Sequence, residues 1–177
     1  MTRRNVMINI ETTRHTLNRS LFGANGAPAE EEPVGDGWDM PEEDGGNELP
    51  ESFEILMEGR LVTTTHRVEL LYEESELTGM EGSVTSIGFD RACPEVISMM
   101  RTGLVSTGMV FEKGKRHMCI YRTPISEFEV CVYAKNVDNR LLTDGVLLLD
   151  YIVEIHGAQA ERCRMTLTVR KEENPLG

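Results

Sequence analysis

Val146-Leu-Leu-Leu-Asp-Tyr-Ile-Val-Glu-Ile-His156, followed after a short break by Glu161-Arg-Cys-Arg-Met-Thr-Leu-Thr-Val-Arg170, is the stretch whose reading decides the fold class. Leu147, Leu149, Tyr151, Val153 and Ile155 recur at every second position, and Met165, Leu167 and Val169 do the same in the following run. Arg162, Arg164, Thr166 and Thr168 fill the places between. An extended chain points successive side chains to opposite faces, so this period of two marks half-buried antiparallel strands. Gly157-Ala158 sits where a hairpin must turn.

Working outward, the same period returns along most of the chain. Phe53, Ile55 and Met57 alternate with Glu54, Leu56 and Glu58, and His66, Val68, Leu70 and Tyr72 with Arg67, Glu69, Leu71 and Glu73. Further strands are expected at 83–90, 94–101, 104–112, 115–123 and 127–135, with another at 5–14. Thr78-Gly79-Met80-Glu81-Gly82, Glu112-Lys113-Gly114-Lys115, Thr123-Pro124-Ile125-Ser126 and Thr143-Asp144-Gly145 punctuate them with the residues tight turns prefer. Helix signals are nearly absent; at most a turn follows Pro94. About nine or ten locally connected strands predict an all-β fold, a single antiparallel up-and-down β-barrel of the calycin or lipocalin kind. Closure removes exposed edges, and a barrel of this size has an interior for side chains or one small ligand.

Charge is distributed unevenly. The chain has 177 residues, one domain's worth, and a formal net charge of −12. Ten of its acids lie between Glu30 and Glu51 with no basic residue among them, so without those ten the −12 falls to −2. Residues 23–52 are also broken by Gly23, Gly26, Pro28, Pro33, Gly35, Gly37, Pro41, Gly45, Gly46 and Pro50. Such a stretch buries too little apolar surface to offset its ordering entropy and predicts a long, disordered-type acidic loop after the first strand. Only Trp38 and Met40 offer an anchor, which makes Trp38 the point where a protein partner would dock; a solvated insertion is the plainer reading. Nucleic acid is excluded as a partner, because phosphate binding needs clustered Lys and Arg.

No run approaches the ~18–20 apolar residues of a membrane span. Arg3 and Arg4 precede Val6 to Ile10, but Glu11, Arg14 and His15 interrupt before an export signal's apolar core is complete. A cytoplasmic address is expected. Cys93, Cys119, Cys131 and Cys163, spaced 26, 12 and 32 residues apart, show neither zinc-ligand spacing nor the density of a secreted disulfide scaffold.

Tyr72-Glu-Glu-Ser-Glu-Leu-Thr-Gly-Met-Glu-Gly82 resembles the YwiB-like family of small uncharacterised bacterial proteins, as do Arg101-Thr-Gly103, Phe111-Glu-Lys-Gly-Lys-Arg-His117, Tyr121-Arg-Thr-Pro124 and the strand beginning Asp150-Tyr151. The resemblance covers about residues 53–170 and the first strand. It implies a calycin-like barrel and a cytoplasmic location, and it implies no activity.

Candidate sites follow from the barrel. A three-residue loop at 124–126 sets Cys119 opposite Cys131, His117 opposite Tyr133 and Tyr121 opposite Glu129, which makes Cys119 and Cys131 a candidate thiol pair. Inert packing in a reducing cytosol is the alternative. His15, His66, His117 and His156 fall on different strands and suggest no metal. No glycine-rich phosphate loop, cofactor signature or catalytic constellation is present, so no enzyme is expected. Met7, Met57, Met99, Met100, Met109, Met118 and Met165 offer a pliable lining. Arg101, in an otherwise apolar strand, needs a carboxylate if it points inward, from Glu112 or from a ligand. The leading expectation is a barrel that binds a small, partly apolar or amphipathic molecule, oriented by Arg101, Tyr72, Tyr121, Tyr133 and Tyr151. The alternative is an adaptor with a filled barrel and no ligand.

Overall fold

A computed structural model describes residues 1–17, 20–22 and 49–171. Ten strands appear in chain order: β1 (Thr2–Leu17), β2 (Glu51–Thr63), β3 (Arg67–Glu73), β4 (Ser83–Asp90), β5 (Cys93–Gly103), β6 (Thr107–Glu112), β7 (Arg116–Arg122), β8 (Glu127–Arg140), β9 (Val146–Ile155) and β10 (Ala160–Lys171). They form one sheet in the order β6-β5-β4-β3-β2-β1-β10-β9-β8-β7, every pairing antiparallel. Strands adjacent in sequence are adjacent in space, as an up-and-down meander requires. A 3₁₀ turn at Glu76–Thr78 is the one helical element among the described residues, and none is long and apolar enough to cross a membrane. The turn expected after Pro94 is instead strand: Pro94 lies in β5, where the pairing with β4 is interrupted and no ladder hydrogen bond needs its missing N–H. The acidic stretch expected at 23–52 lies outside the described residues up to position 48, Trp38 included, while Glu51 and Ser52 already belong to β2.

The sheet curls until its edge strands meet. No ladder closes the wall beyond β6: Ser106 and Arg122 of β7 exchange backbone hydrogen bonds of 3.0 and 2.8 Å at one end, and at the other Lys113 bridges to Ala134 of β8. The barrel is therefore nearly closed, with a loose seam down one side.

One face of each strand fills the interior. Val6, Ile8 and Ile10 on β1, Val68 and Leu70 on β3, Ile87 and Phe89 on β4, Ile97 and Met99 on β5, Phe111 on β6, Val130 and Val132 on β8, Leu147 and Leu149 on β9, and Met165 and Leu167 on β10 form one continuous core. Space along the axis is so limited that Gly59, inward-facing on β2, has its Cβ position occupied by the Ile8 side chain. The methionines expected as a lining divide between the packed core and the surface. Met99 and Met165 are buried and Met57 and Met109 pack on the core, but Met100 and Met118 project outward and are exposed.

A second, smaller cluster lies outside the barrel. Leu21 and Phe22 cover Cys131, Tyr133, Ile152 and Ala160 on the outer face of β8–β10. Glu154 anchors this strap: it is buried and accepts hydrogen bonds from Ser20 Oγ, at 2.6 Å, and from the Leu21 backbone N–H. Phe22 stacks on His156 at 4.7 Å.

Truncating a large interior side chain leaves a cavity that a closed sheet cannot collapse around. Phe111→Ala is expected to lower unfolding free energy by about 3–5 kcal/mol, measured by urea denaturation. Leu77→Ala, at an exposed turn, is expected to stay within about 0.5 kcal/mol.

Candidate functional site

The end of the barrel at which β1 finishes and β2 begins carries the inward polar residues. Cross-strand register places Tyr72 opposite Thr85, Thr85 opposite Arg101, and Arg101 opposite Thr107, so four neighbouring strands contribute one row. Glu74 continues the inward face of β3 by one step beyond Tyr72, and its N–H donates to Ser83 O at 2.9 Å. Arg101 is buried and directs Nε to Glu74 Oε1 at 3.1 Å and to Thr85 Oγ1 at 3.0 Å, while Nη2 lies 3.0 Å from the same carboxylate oxygen. Thr85 Oγ1 in turn donates to Glu74. Arg101 thus takes its carboxylate from Glu74. The expected partner Glu112 instead meets Lys115 at 2.6 Å and His117 at 3.4 Å at the strand's far end. Nη1 of Arg101 has no acceptor among the described residues.

The tyrosines divide. Burial, reinforced by the Glu74 charge, raises the Tyr72 phenol far above its ordinary pKa against the opposing pull of Arg101 and a hydrogen bond with Thr85. Tyr151 meets Phe111 edge-on at 4.8 Å and is hydrogen-bonded to the Cys163 thiol. Burial raises its pKa strongly as well, while the charges of Arg14 and Arg101 oppose the rise. Tyr151 nevertheless keeps accessible surface, as do Tyr121, Cys119, Phe53 and Val153, all on inward positions at this end. These residues share the inward face at this end, where the charges of Arg14 and Arg101 both act on Tyr151. Arg14, exposed at the mouth, lies over the Phe53 ring at 5.3 Å and has no carboxylate within ion-pair distance among the described residues.

Tyr133 does not belong to this group. It faces outward beneath the Leu21–Phe22 strap, with the Arg116 guanidinium 5.9 Å from its ring centre. β8 reads Val130-Cys-Val-Tyr-Ala134, apolar on both faces because both are covered, so alternation alone cannot distinguish inside from outside there.

The thiol pairing is also corrected. The β7–β8 hairpin closes through four residues, 123–126, with Arg122 opposite Glu127; Cys119 therefore faces Val130, and Cys131 faces Met118. A slip of one residue sends neighbouring side chains to opposite faces. Cys119 consequently packs on the interior with Thr107 Oγ1 3.8 Å from its sulfur, and Cys131 packs in the outer cluster. All four cysteines are free. Among the described residues no three His, Cys, Asp or Glu side chains gather as metal ligands.

Glu74, Thr85 and Arg14 were not singled out by sequence reasoning. Glu74 carries a readable signal, since it lies two residues after the inward Tyr72; Arg14 carries only its even-numbered place after Ile8 and Ile10.

The fold and the site define a nearly closed antiparallel barrel with a filled middle and a polar end. The chain belongs to the family described as domain of unknown function DUF1934, whose model matches residues 41–167. The crystal structure of the YwiB protein from Bacillus subtilis superposes on it with a TM-score of 0.60 at 14% sequence identity, covering 96% of this chain and 94% of that one. No curated protein matches the sequence.

Removing one partner of the buried pair leaves the other charged and desolvated. Glu74→Ala is expected to cost about 3–5 kcal/mol in chemical denaturation. Thiol reactivity gives an independent check. Burial pushes Cys131 and Cys163 up to about 11 and also raises Cys119, so at pH 7 to 8 all three are held as the unreactive thiol. Native titration with a chromogenic disulfide is expected to modify exposed Cys93 first, with Cys131 and Cys163 reacting only after unfolding.

Proposed function

We propose that the barrel binds one small, partly apolar molecule in its polar end, and that the molecule presents a hydrogen-bond-accepting head group to Arg14 and Arg101. The observation that supports this reading is the convergence of two arginines on Tyr151 at the polar end, where among the described residues Arg14 makes no ion pair and Arg101 Nη1 has no acceptor. Phe53 and Val153 supply apolar wall, so the site combines a few polar groups with apolar surface, as ligand sites do. The Arg101–Glu74–Thr85 row fixes one donor in advance, which lowers the ordering cost of binding. The filled axis leaves no room between the two ends, so the molecule is short. We also place the protein in the cytoplasm, where four unpaired thiols suit a reducing compartment.

A second reading, a protein-binding module, is favoured by one observation. Met118 and Ile120 are exposed on the outer face of β7, and exposed Met100 reaches over Gly108 of β6, so apolar side chains flank both sides of the loose seam in a chain this acidic.

Native mass spectrometry of protein purified from its source, combined with tyrosine-ring NMR, tests the first reading. The expected result is a retained small mass whose removal shifts the Tyr121 and Tyr151 ring signals, and at least a tenfold loss of affinity in Arg14→Gln on adding the isolated molecule back. A bare chain mass and immobile tyrosine signals would overturn it, and a co-purifying protein would favour the second reading.

A further inference from the structure

The opposite end of the barrel holds a pocket of a different kind. Thr2, Arg4 and Val6 of β1, Leu61 and Thr63 of β2, Val169 and Lys171 of β10, and the turn after β8 line a half-open pocket of about 300 Å³. That equals roughly ten water molecules at ~30 Å³ each and lies at the small end of the range for ligand sites. Its floor is apolar: Val6 and Leu141 are buried, and Leu61 and Val169 pack on the core. Its rim is cationic. Arg4 and Lys171 are exposed there, and among the described residues neither has a carboxylate within ion-pair distance and no acid lines the pocket. In a chain with 30 acids and 18 bases, a pocket whose described lining has two cations and no acid runs against composition.

The pocket wall is preformed. Gly145 lies so close to β10 that a Cβ would sit 2.6 Å from Val169 O, and the Val169 N–H donates to Gly145 O at 2.7 Å. This glycine has a positive φ of 73°, so the turn is held in a shape that other residues rarely adopt. Leu142 projects beside it, with about half its surface exposed.

We infer that this end is a second binding site, for a small amphipathic anion whose short apolar body rests on Val6, Leu61, Leu141 and Val169 and whose carboxylate or similar head group sits between Arg4 and Lys171. The cations differ from Arg101 at the other end, which already has its carboxylate in Glu74. The core between the two ends, including Phe111, Ile97 and Leu70, is fully buried, so the two sites do not merge into one channel.

Octanoate is the probe. Titration of the full chain, followed by methyl NMR, is expected to give saturable shifts at Leu61, Leu141, Leu142 and Val169, and octylammonium none. The double variant Arg4→Gln/Lys171→Gln changes two exposed side chains, keeps the fold, and is expected to weaken octanoate at least tenfold. Unmoved methyls at these four positions, or an unchanged affinity in the double variant, would overturn the inference. Shifts at Val153 and the Phe53 ring report the polar end separately. Octanoate seated there alone supports the first site and sinks this one, and the converse pattern does the reverse.

Discussion

β1 hydrogen-bonds to β2 along one edge and to β10 along the other, and both ladders run for most of its length. The meander β1–β6 and the meander β7–β10 are joined in one sheet through this strand. Its register is set by burial. Val6, Ile8 and Ile10 are on the core face, and a slip of one residue would exchange them for Met7, Asn9 and Glu11. Asn9 now donates to Glu54 across the strand at 2.9 Å, and burying that pair in an apolar interior without water would cost several kcal/mol. Both mouths inherit their geometry from this choice. Arg4 and Arg14 lie ten positions apart on the same face of β1, one at each end.

Alternation is legible wherever one face of a strand meets water. The expected strand 83–90 is β4 as it stands, and the other boundaries shift at their ends, most in β2, which runs on to Thr63, and in β8, which continues past a bulge near Lys135 to Arg140. The candidate site is legible only as far as inward parity goes: Tyr72, Arg101, Tyr121 and Tyr151 all take inward positions at one end. Tyr133 and the Cys119–Cys131 pairing were not legible, for two different physical reasons. Tyr133 belongs to a strand covered on both faces, because residues from the distant 20–22 segment dock outside it. The cysteine register turns on one residue of loop length, which Thr123-Pro124-Ile125-Ser126 leaves ambiguous until the Thr123 N–H is seen bonding Ser126 O at 2.8 Å.

Arg101 shows how local order in the sequence hides tertiary chemistry. Its neighbours Ile97 and Met99 mark the position as interior, and an interior guanidinium requires a carboxylate. Sequence distance favours Glu112 on the next strand. Antiparallel register favours Glu74 instead, because β4 lies between β3 and β5 and its small Thr85 lets the two charged side chains meet over it. Thr85 is fully buried and hydrogen-bonded to both, so it screens neither charge from the other. Such a row is costly to desolvate and has little room for change, which suits a fixed wall and not a moving part.

A barrel of ten strands is wide enough to hold a cavity along its whole axis, and what fills the centre decides which ligands it admits. Here Ile8, Leu70, Ile87, Ile97, Phe111, Leu149 and Leu167 occupy that centre and are fully buried. A long alkyl chain has no path between the mouths, so tail length cannot be the basis of selection. Discrimination is left to the rims, and these differ in charge. At one end Glu74 offsets the charge of Arg101, whereas the described lining of the other holds two cations and no acid. Because solvent reaches both rims, the attraction of an anion to either is screened by salt, and apolar contact with the floor must contribute the rest. Affinity at each end should therefore rise with the short apolar body that fits above the packed centre and stop rising once that depth is filled.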